Sequence, residues 1–490
     1  MFSGQSGAPD GAYTLKQSGF RCIIRATCRY GGLFADESHD RRYIHGRKES
    51  DMPNNGKQLT VQDRGQEMYD LAGKIFPICR SITGSGVRET LRILGDYIGQ
   101  DGACFNITEV PSGTPVFDWT VPREWAVRSA YIEDRQGNRI IDMKDSNLHV
   151  MGYSLPVDRW VSRKELEQYV YTQPDQPDVI PYITSYYKER VGFCMSQAQL
   201  DSLPEGEYHL YIDSELFDGS LTYADVVLPG ETDEELLLTS YTCHPSMANN
   251  ECSGMVLLSA LIRHVKSMGK HRYTYRFVLN PETIGAITYL SRNLEALKKH
   301  VIAGIVLSCV GDERDYSILE SKYADTLADR SLKSVLAGRG RYTTHSFLKR
   351  GSDERQYNAP GIDLPVVGYS RTKYHEYPEY HTSADDMNLI TPAGLQGSYE
   401  TLVRWIYCME NNRKYTVNVL GEPQLGKRGL YPTISQKGSY DEVAALVDFI
   451  AYADGRNDLF DLSRLTGVAP YHLVPIAKTL EENGLIRGQV

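Results

Sequence analysis

The sequence predicts an α/β fold: a mostly parallel sheet flanked by helices, with a small β domain inserted toward its N-terminal side and a C-terminal winged helix. Three observations lead there. From residue 234 to about 307, apolar strand-like runs alternate with helical runs, a β–α–β–α–β rhythm that needs crossover connections and therefore parallel strands. Residues 104–165 interrupt this texture with short alternating strands and turn dipeptides such as Gly137-Asn138. Residues 426–490 read as helix, short helix, turn, helix and then Gly484-Leu-Ile-Arg, the order of a winged helix-turn-helix.

Taken in order, residues 1–60 are rich in Gly, Ser, Asp and Arg without apolar periodicity, and are expected to be a disordered extension. Phe20–Arg25 is too short and interrupted for a signal-peptide core, and Met52 offers an alternative start. The main domain comprises 61–103 and 166–412. Gln66–Phe76 and Gly86–Ile98 carry helical periodicity, and the glycines and hydroxyls between them, around Arg80 and Ser81, suit a tight turn, with a pocket role for Arg80 as the lesser reading. In the insertion, Trp119 and Trp125 are assigned to core or interface. Strands are expected at about Tyr208–Ile212 and Ala224–Leu228, then at Glu234–Ser240, Tyr273–Leu279 and Val301–Leu307. Helices follow at 255–266, about 286–297 and about 392–410.

Composition narrows the function. A formal charge of −10 over 490 residues argues against a general nucleic-acid binder. The tail from Gly426 onward has seven Lys/Arg against eight Asp/Glu, and Pro475 interrupts its last helix. Packing or partner binding therefore fits this module better than DNA reading. No run of eighteen apolar residues exists, so no membrane span is expected. Nine scattered Cys without a CxxC pair suggest reduced thiols, and a cytoplasmic location is expected. The 34 Tyr against 12 Phe offer many hydroxyls for buried hydrogen bonds or a polar pocket.

The candidate chemistry gathers at strand ends, where open α/β sheets bind ligands. These are His244 with Asn250 and Glu251, then Glu282, then Ser308–Asp312, and His381 with its neighbours. The order His244-Pro, Asn249-Asn-Glu-Cys-Ser-Gly254, Pro281-Glu-Thr-Ile-Gly285 and Tyr380-His-Thr-Ser-Ala-Asp-Asp386 resembles the co-catalytic zinc aminopeptidases. More closely, residues 62–490 resemble a bacterial family with an aminopeptidase-like domain, an inserted β domain and a winged helix. Val116-Phe-Asp-Trp119, Cys243–Glu251, Gly351–Tyr357 and Tyr377–Ser383 carry that match as well.

The resemblance puts His244 and His381 on metal-ligand positions and Glu282 on that of the general base. It also exposes three departures: Asn250 replaces the metal-bridging Asp, Thr283 the second Glu of the pair, and Ser308 a ligand Asp. A neutral Asn cannot bridge two dications. The resemblance then implies one zinc ion held by His244, Glu251 and His381, with Glu282 activating its water. Asp312 and Asp353 are reserves for the third ligand. Asp353, Arg355 and Tyr380 are the expected substrate-binding residues. The expected activity is hydrolysis of an amide in a small peptide or amide-containing metabolite, in a chain that could also form a homo-oligomer. The rival reading is an aminopeptidase-like binding or scaffold protein that has lost catalysis; a DNA-binding regulator ranks below both.

Overall fold

The computed structural model describes residues 59–99, 105–431 and 441–489. The disordered extension expected over 1–60 therefore lies almost wholly outside the described residues. The central element is an eight-stranded sheet. In chain order its strands are β1 (Asn106–Pro111), β2 (Ser220–Leu228), β3 (Glu235–Tyr241), β4 (Thr274–Asn280), β5 (Val301–Leu307), β6 (Ser317–Leu319), β7 (Thr343–His345) and β8 (Val366–Ser370). Across the sheet they run β1-β2-β4-β3-β5-β8-β6-β7. The middle four, β4, β3, β5 and β8, are mutually parallel; β1, β2 and β6 join their inner neighbours antiparallel.

The helices are α1 (Gly65–Ile75), α2 (Ser85–Ile98), α3 (Ser253–Met268), α4 (Ile284–His300), α5 (Leu327–Arg339) and α6 (Pro392–Glu410). Successive side chains of a strand point to opposite faces, and β3 is buried along its whole length because both faces are covered. Leu236 and Leu238 join the core beneath α1, α2, α3 and α6, while Leu237 joins Val278, Val306 and residues of α4 on the other face. Glu235 is tolerated in this strand because Arg276 of β4 holds it through two bonds of 2.6 and 2.8 Å. α3 begins so close to the sheet that a Cβ on Gly254 would meet Ser240 Oγ and the Leu307 carbonyl, so this position admits only glycine.

The β insertion reaches further than the sequence predicts. Its four-stranded antiparallel sheet runs Arg139–Asp142, Glu124–Asp134, Glu207–Phe217, Val157–Ser162. The expected strand near Tyr208 thus pairs inside the insertion, well beyond residue 165, and Asn106–Pro111 joins the main sheet. A short helix at Arg163–Leu166, capped by Ser162, follows the strand Val157–Ser162, and a strand at Val170–Tyr171 comes after it. Trp125 is buried and donates to Ser154 O, whereas Trp119 is 38% exposed on a small hairpin.

The C-terminal module has helices α7 (Asp441–Tyr452), α8 (Leu459–Thr466) and α9 (Pro470–Glu482). Its wing pairs Ile486–Gln489 with Lys414–Val417, so the module starts before residue 426. α9 carries Pro475 inside it and packs on α5 and α6. Tyr471 Oη donates to Gly338 O, and Arg330 holds Asp458 and Asp461, the capping residues of α8. Its apolar face, Tyr471, Leu473, Val474 and Ala477, is continuous with the main core.

Candidate active site

The carboxyl ends of β3, β4 and β5 and the loop carrying His381 meet at one edge of the sheet. After Tyr241 the chain runs through Cys243 and His244 into a wide π-type turn at Ala248–Cys252, from which α3 emerges. Such turns often occur at functional sites. No side chain of its own caps α3. Asp385, four residues past His381, takes the role from outside: its carboxylate accepts Asn249 N at 2.6 Å and Asn250 N at 3.0 Å. The His381 loop is thereby locked to the His244 loop.

β4 ends in Pro281-Glu282-Thr283. Thr283 has φ 63° and ψ −79°, and Ile284 N bonds back to Glu282 O at 2.8 Å. This is the rare, strained form of γ-turn. Asp353 fastens it, accepting Thr283 N at 2.7 Å and Asn280 Nδ2 at 2.9 Å, while Arg355 donates to Thr283 Oγ1 at 2.5 Å. Ser246, Cys309 and His381 also have positive φ. Non-glycine residues visit that region seldom, and strain of this kind clusters at functional sites.

The result is an imidazole between two carboxylates. His244 Nδ1 lies 3.0 Å from Glu251 Oε2, and Nε2 lies 3.7 Å from Glu282 Oε2. Glu251 also accepts Cys243 N at 2.6 Å and Arg80 Nε at 3.2 Å. Arg80 further donates to His244 O and Ile75 O, so this buried cation has its partners. Burial acts to lower the His244 pKa, but the bond and charge of Glu251, with the charge of Glu282, raise it. Burial acts to raise Glu251; His244 and Arg80 hold it below the usual range. Glu282 is raised, chiefly by burial, and its side chain keeps 23% exposure, so it is the carboxylate that a ligand can reach.

The second half of the site is neutral. Asn250 Nδ2 donates to Tyr241 Oη at 2.5 Å and Ser308 Oγ at 3.3 Å, and its Oδ1 lies 3.1 Å from His381 Nε2. Burial, then the neighbouring His244 charge, pushes His381 well down, so it is uncharged at neutral pH. Tyr380 stacks on His381 at 3.9 Å between ring centroids, and Tyr182 lies 5.1 Å from His244 and 5.0 Å from His381.

Zinc was expected on His244, Glu251 and His381, and the donors do not converge that way. Both oxygens of Glu251 are engaged by Arg80, Cys243 N and His244, behind the imidazole rather than in front of it. With Asn250 oriented as found, His381 carries its proton on Nε2 and offers no lone pair there. Among the described residues, three ligand-type atoms come together only at Cys243, His244 and Glu251. Arg80 already neutralises that cluster, and burial pushes the Cys243 thiol well up. Neither reserve is free. Asp312 accepts from Asn249, Arg314 and Thr372, and Asp353 fastens the γ-turn. The residues present do not fit a zinc centre.

Residues 69–412 match a domain of unknown function, DUF4910, and residues 413–488 match a winged helix-turn-helix. The chain belongs to the DUF4910 family. A Clostridium acetobutylicum protein, provisionally named a polysaccharide biosynthesis protein with aminopeptidase-like domain, is 45% identical over 410 residues, covering 83% of this chain and 92% of its own. A crystal structure from the same organism, of a provisionally named peptidase, superposes with a TM-score of 0.80 at 42% identity, covering 87% and 96%. The zinc aminopeptidase BSAP of Bacillus subtilis shares the fold, with a TM-score of 0.53 at 12% identity over 71% of this chain and 96% of that one.

Within this DUF4910 chain, His244, Glu251 and Glu282 come together, and Tyr380 joins through its stack on His381. Asp353 and Arg355 act on the turn beneath Glu282. Sequence reasoning missed Arg80 as the partner of Glu251, and it missed Asp385 and Tyr182. The repeated tyrosines at 182, 186 and 187 were the one signal pointing to the last of these.

Proposed function

We propose that the chain hydrolyses an amide bond in a small peptide-like or acylated metabolite, by acid–base chemistry of its own side chains. Glu282 takes a proton from the attacking water. His244, held in place by Glu251, whose bond and charge favour its protonated form, gives a proton to the leaving nitrogen. Arg355 and Tyr380, beside Glu282, are the donors available to the carbonyl oxygen as charge develops on it. The observation that carries this reading is the Glu251–His244–Glu282 relay. It sets one carboxylate low and buried and the other raised and accessible, the separation of roles that acid–base catalysis needs. The Clostridium relative's name ties that protein to polysaccharide biosynthesis, which favours a small acylated precursor as substrate. The zinc aminopeptidase fold supports amide hydrolysis as the reaction class; the donor set argues against carrying its metal over.

The test is turnover of a panel of small amides by protein treated with a chelator. Glu282→Gln should lower kcat by about 10²–10⁴-fold, and an unchanged rate removes Glu282 from the reaction. A second reading, a binding protein without catalysis, draws on Asn250, Thr283 and Ser308 standing where the aminopeptidases carry carboxylates. It would be favoured by amide binding without turnover in the wild-type chain.

A further inference from the structure

A continuous run of aromatic rings leads from His244 to the surface. Tyr182 lies against His244, and its hydroxyl is 3.0 Å from that of Tyr186. Tyr186 meets Tyr187 edge-on at 6.4 Å, and Tyr187 meets Trp119 edge-on at 5.7 Å. The tyrosine segment is fixed to the His381 loop: Tyr182 N donates to His381 O, and Ser383 N donates to Ile180 O, both at 2.9 Å. Trp119 belongs to the hairpin Pro115–Val116/Trp119–Thr120, which packs on α4, the helix that starts directly after Glu282 and Thr283. Val116 anchors that hairpin in the core shared with α4.

The far end of this run is open. Tyr187 is 69% exposed, Phe117 at the hairpin tip 52% and Trp119 38%. Of the ten large apolar side chains exposed among the described residues, Trp119 and Tyr187 touch each other, and Phe117 sits at the tip of the same hairpin as Trp119. Isolated exposed apolar residues are ordinary; a cluster bordered by polar groups marks a binding surface. Burial raises the Tyr187 hydroxyl, and after burial the charges of Arg355 and Glu282 act on it, which agrees with its place at the mouth of the site.

We propose that Trp119, Tyr187 and Phe117 form an aromatic lip that grips a ring-bearing group on the substrate, so that the site prefers amides attached to a saccharide or aromatic ring over ringless ones. This rests on the hydrolase reading for the identity of the substrate, though not for the lip itself. Rigid aromatic faces contribute contact area at little cost in side-chain entropy. The β insertion, which has no part in the acid–base relay, would then set specificity.

The experiment uses the full chain with Glu282→Gln, so that binding is read without turnover. Calorimetric titrations compare methyl N-acetyl-β-glucosaminide, N-acetyl-phenylalaninamide and N-acetyl-alaninamide. At least one ring-bearing probe should bind more tightly than N-acetyl-alaninamide. Adding Trp119→Ala or Tyr187→Ala should shrink that preference by about three- to tenfold. Which ring-bearing probe is preferred distinguishes a sugar from an aromatic group. Equal binding of all three, binding of none, or a preference untouched by both variants overturns the lip. A wild-type chain that shows the ring preference yet hydrolyses no amide defeats the hydrolase reading alone and leaves the lip standing.

Discussion

Among the described residues, a histidine lies between two carboxylates twice. At the sheet edge His244 lies between Glu251 and Glu282; on the insertion His209 lies between Glu133, 3.1 Å away, and Asp158, 2.7 Å away. Hydrogen-bond geometry alone would favour His209. The difference is in what surrounds them. Asp158 is 73% exposed and water competes for it, whereas Glu251 is fully buried, and Arg80 gives it a cation that cannot leave. Cross-strand contacts with Trp160 and Tyr131 make the His209 cluster a stiffener of its sheet face. A carboxylate–imidazole–carboxylate sequence becomes a candidate catalyst only where burial separates the two carboxylates' acidities and leaves one of them reachable.

The comparison can be broken most decisively at the imidazoles. His244→Ala should reduce amide turnover by about 10²–10⁴-fold, while His209→Ala leaves kcat/KM unchanged. Equal effects would erase the distinction. Next come the partners. Arg80→Met strands Glu251 as a buried charge and should cost roughly 3–5 kcal/mol in denaturant unfolding. Asp158→Asn should cost about 1 kcal/mol or less, and the comparison fails if the two losses are alike.

A smaller effect sharpens the contrast through pH. Burial acts to lower the His209 pKa, but its bonds to Asp158 and Glu133 raise it above 6.5. The folded state therefore holds that proton more tightly than the unfolded chain. The stability it supplies is complete below about pH 6.5 and is lost as pH rises through the folded-state value. Chemical denaturation at pH 6 and pH 8 should show this slope in the wild type and a flatter one in His209→Gln. Finally, protein purified without chelators should carry far less than one zinc per chain, and EDTA should leave turnover unchanged. Stoichiometric zinc lost in His244→Ala would show that the relay opens to receive a metal.

Much of the architecture was legible because β3, β4 and β5 announce themselves as short apolar runs, and their order alone brings His244, Glu282 and Ser308 to one edge. The reach of the insertion was not legible. Glu207–Phe217 pairs with Glu124–Asp134, a distant segment, and nothing local in either reveals the match. Glu251 was identified as a site residue but given the wrong direction. In a wide turn one residue's difference decides whether a carboxylate faces the ligand or the protein, and spacing does not record that choice. Arg80 sits in a glycine-rich turn that reads as a connector; only the fold shows its guanidinium reaching a carboxylate 171 positions along the chain.

The γ-turn at Thr283 sets a limit on improving this protein. A glycine there would adopt φ 63° with less strain, and a search for heat-resistant variants would be drawn to that position. The same change removes the hydroxyl that Arg355 holds and leaves Asp353 alone to fasten the turn that aims Glu282. Selection for robustness and selection for turnover would pull residue 283 in opposite directions, so a thermostable descendant of this chain is best sought by changes made elsewhere.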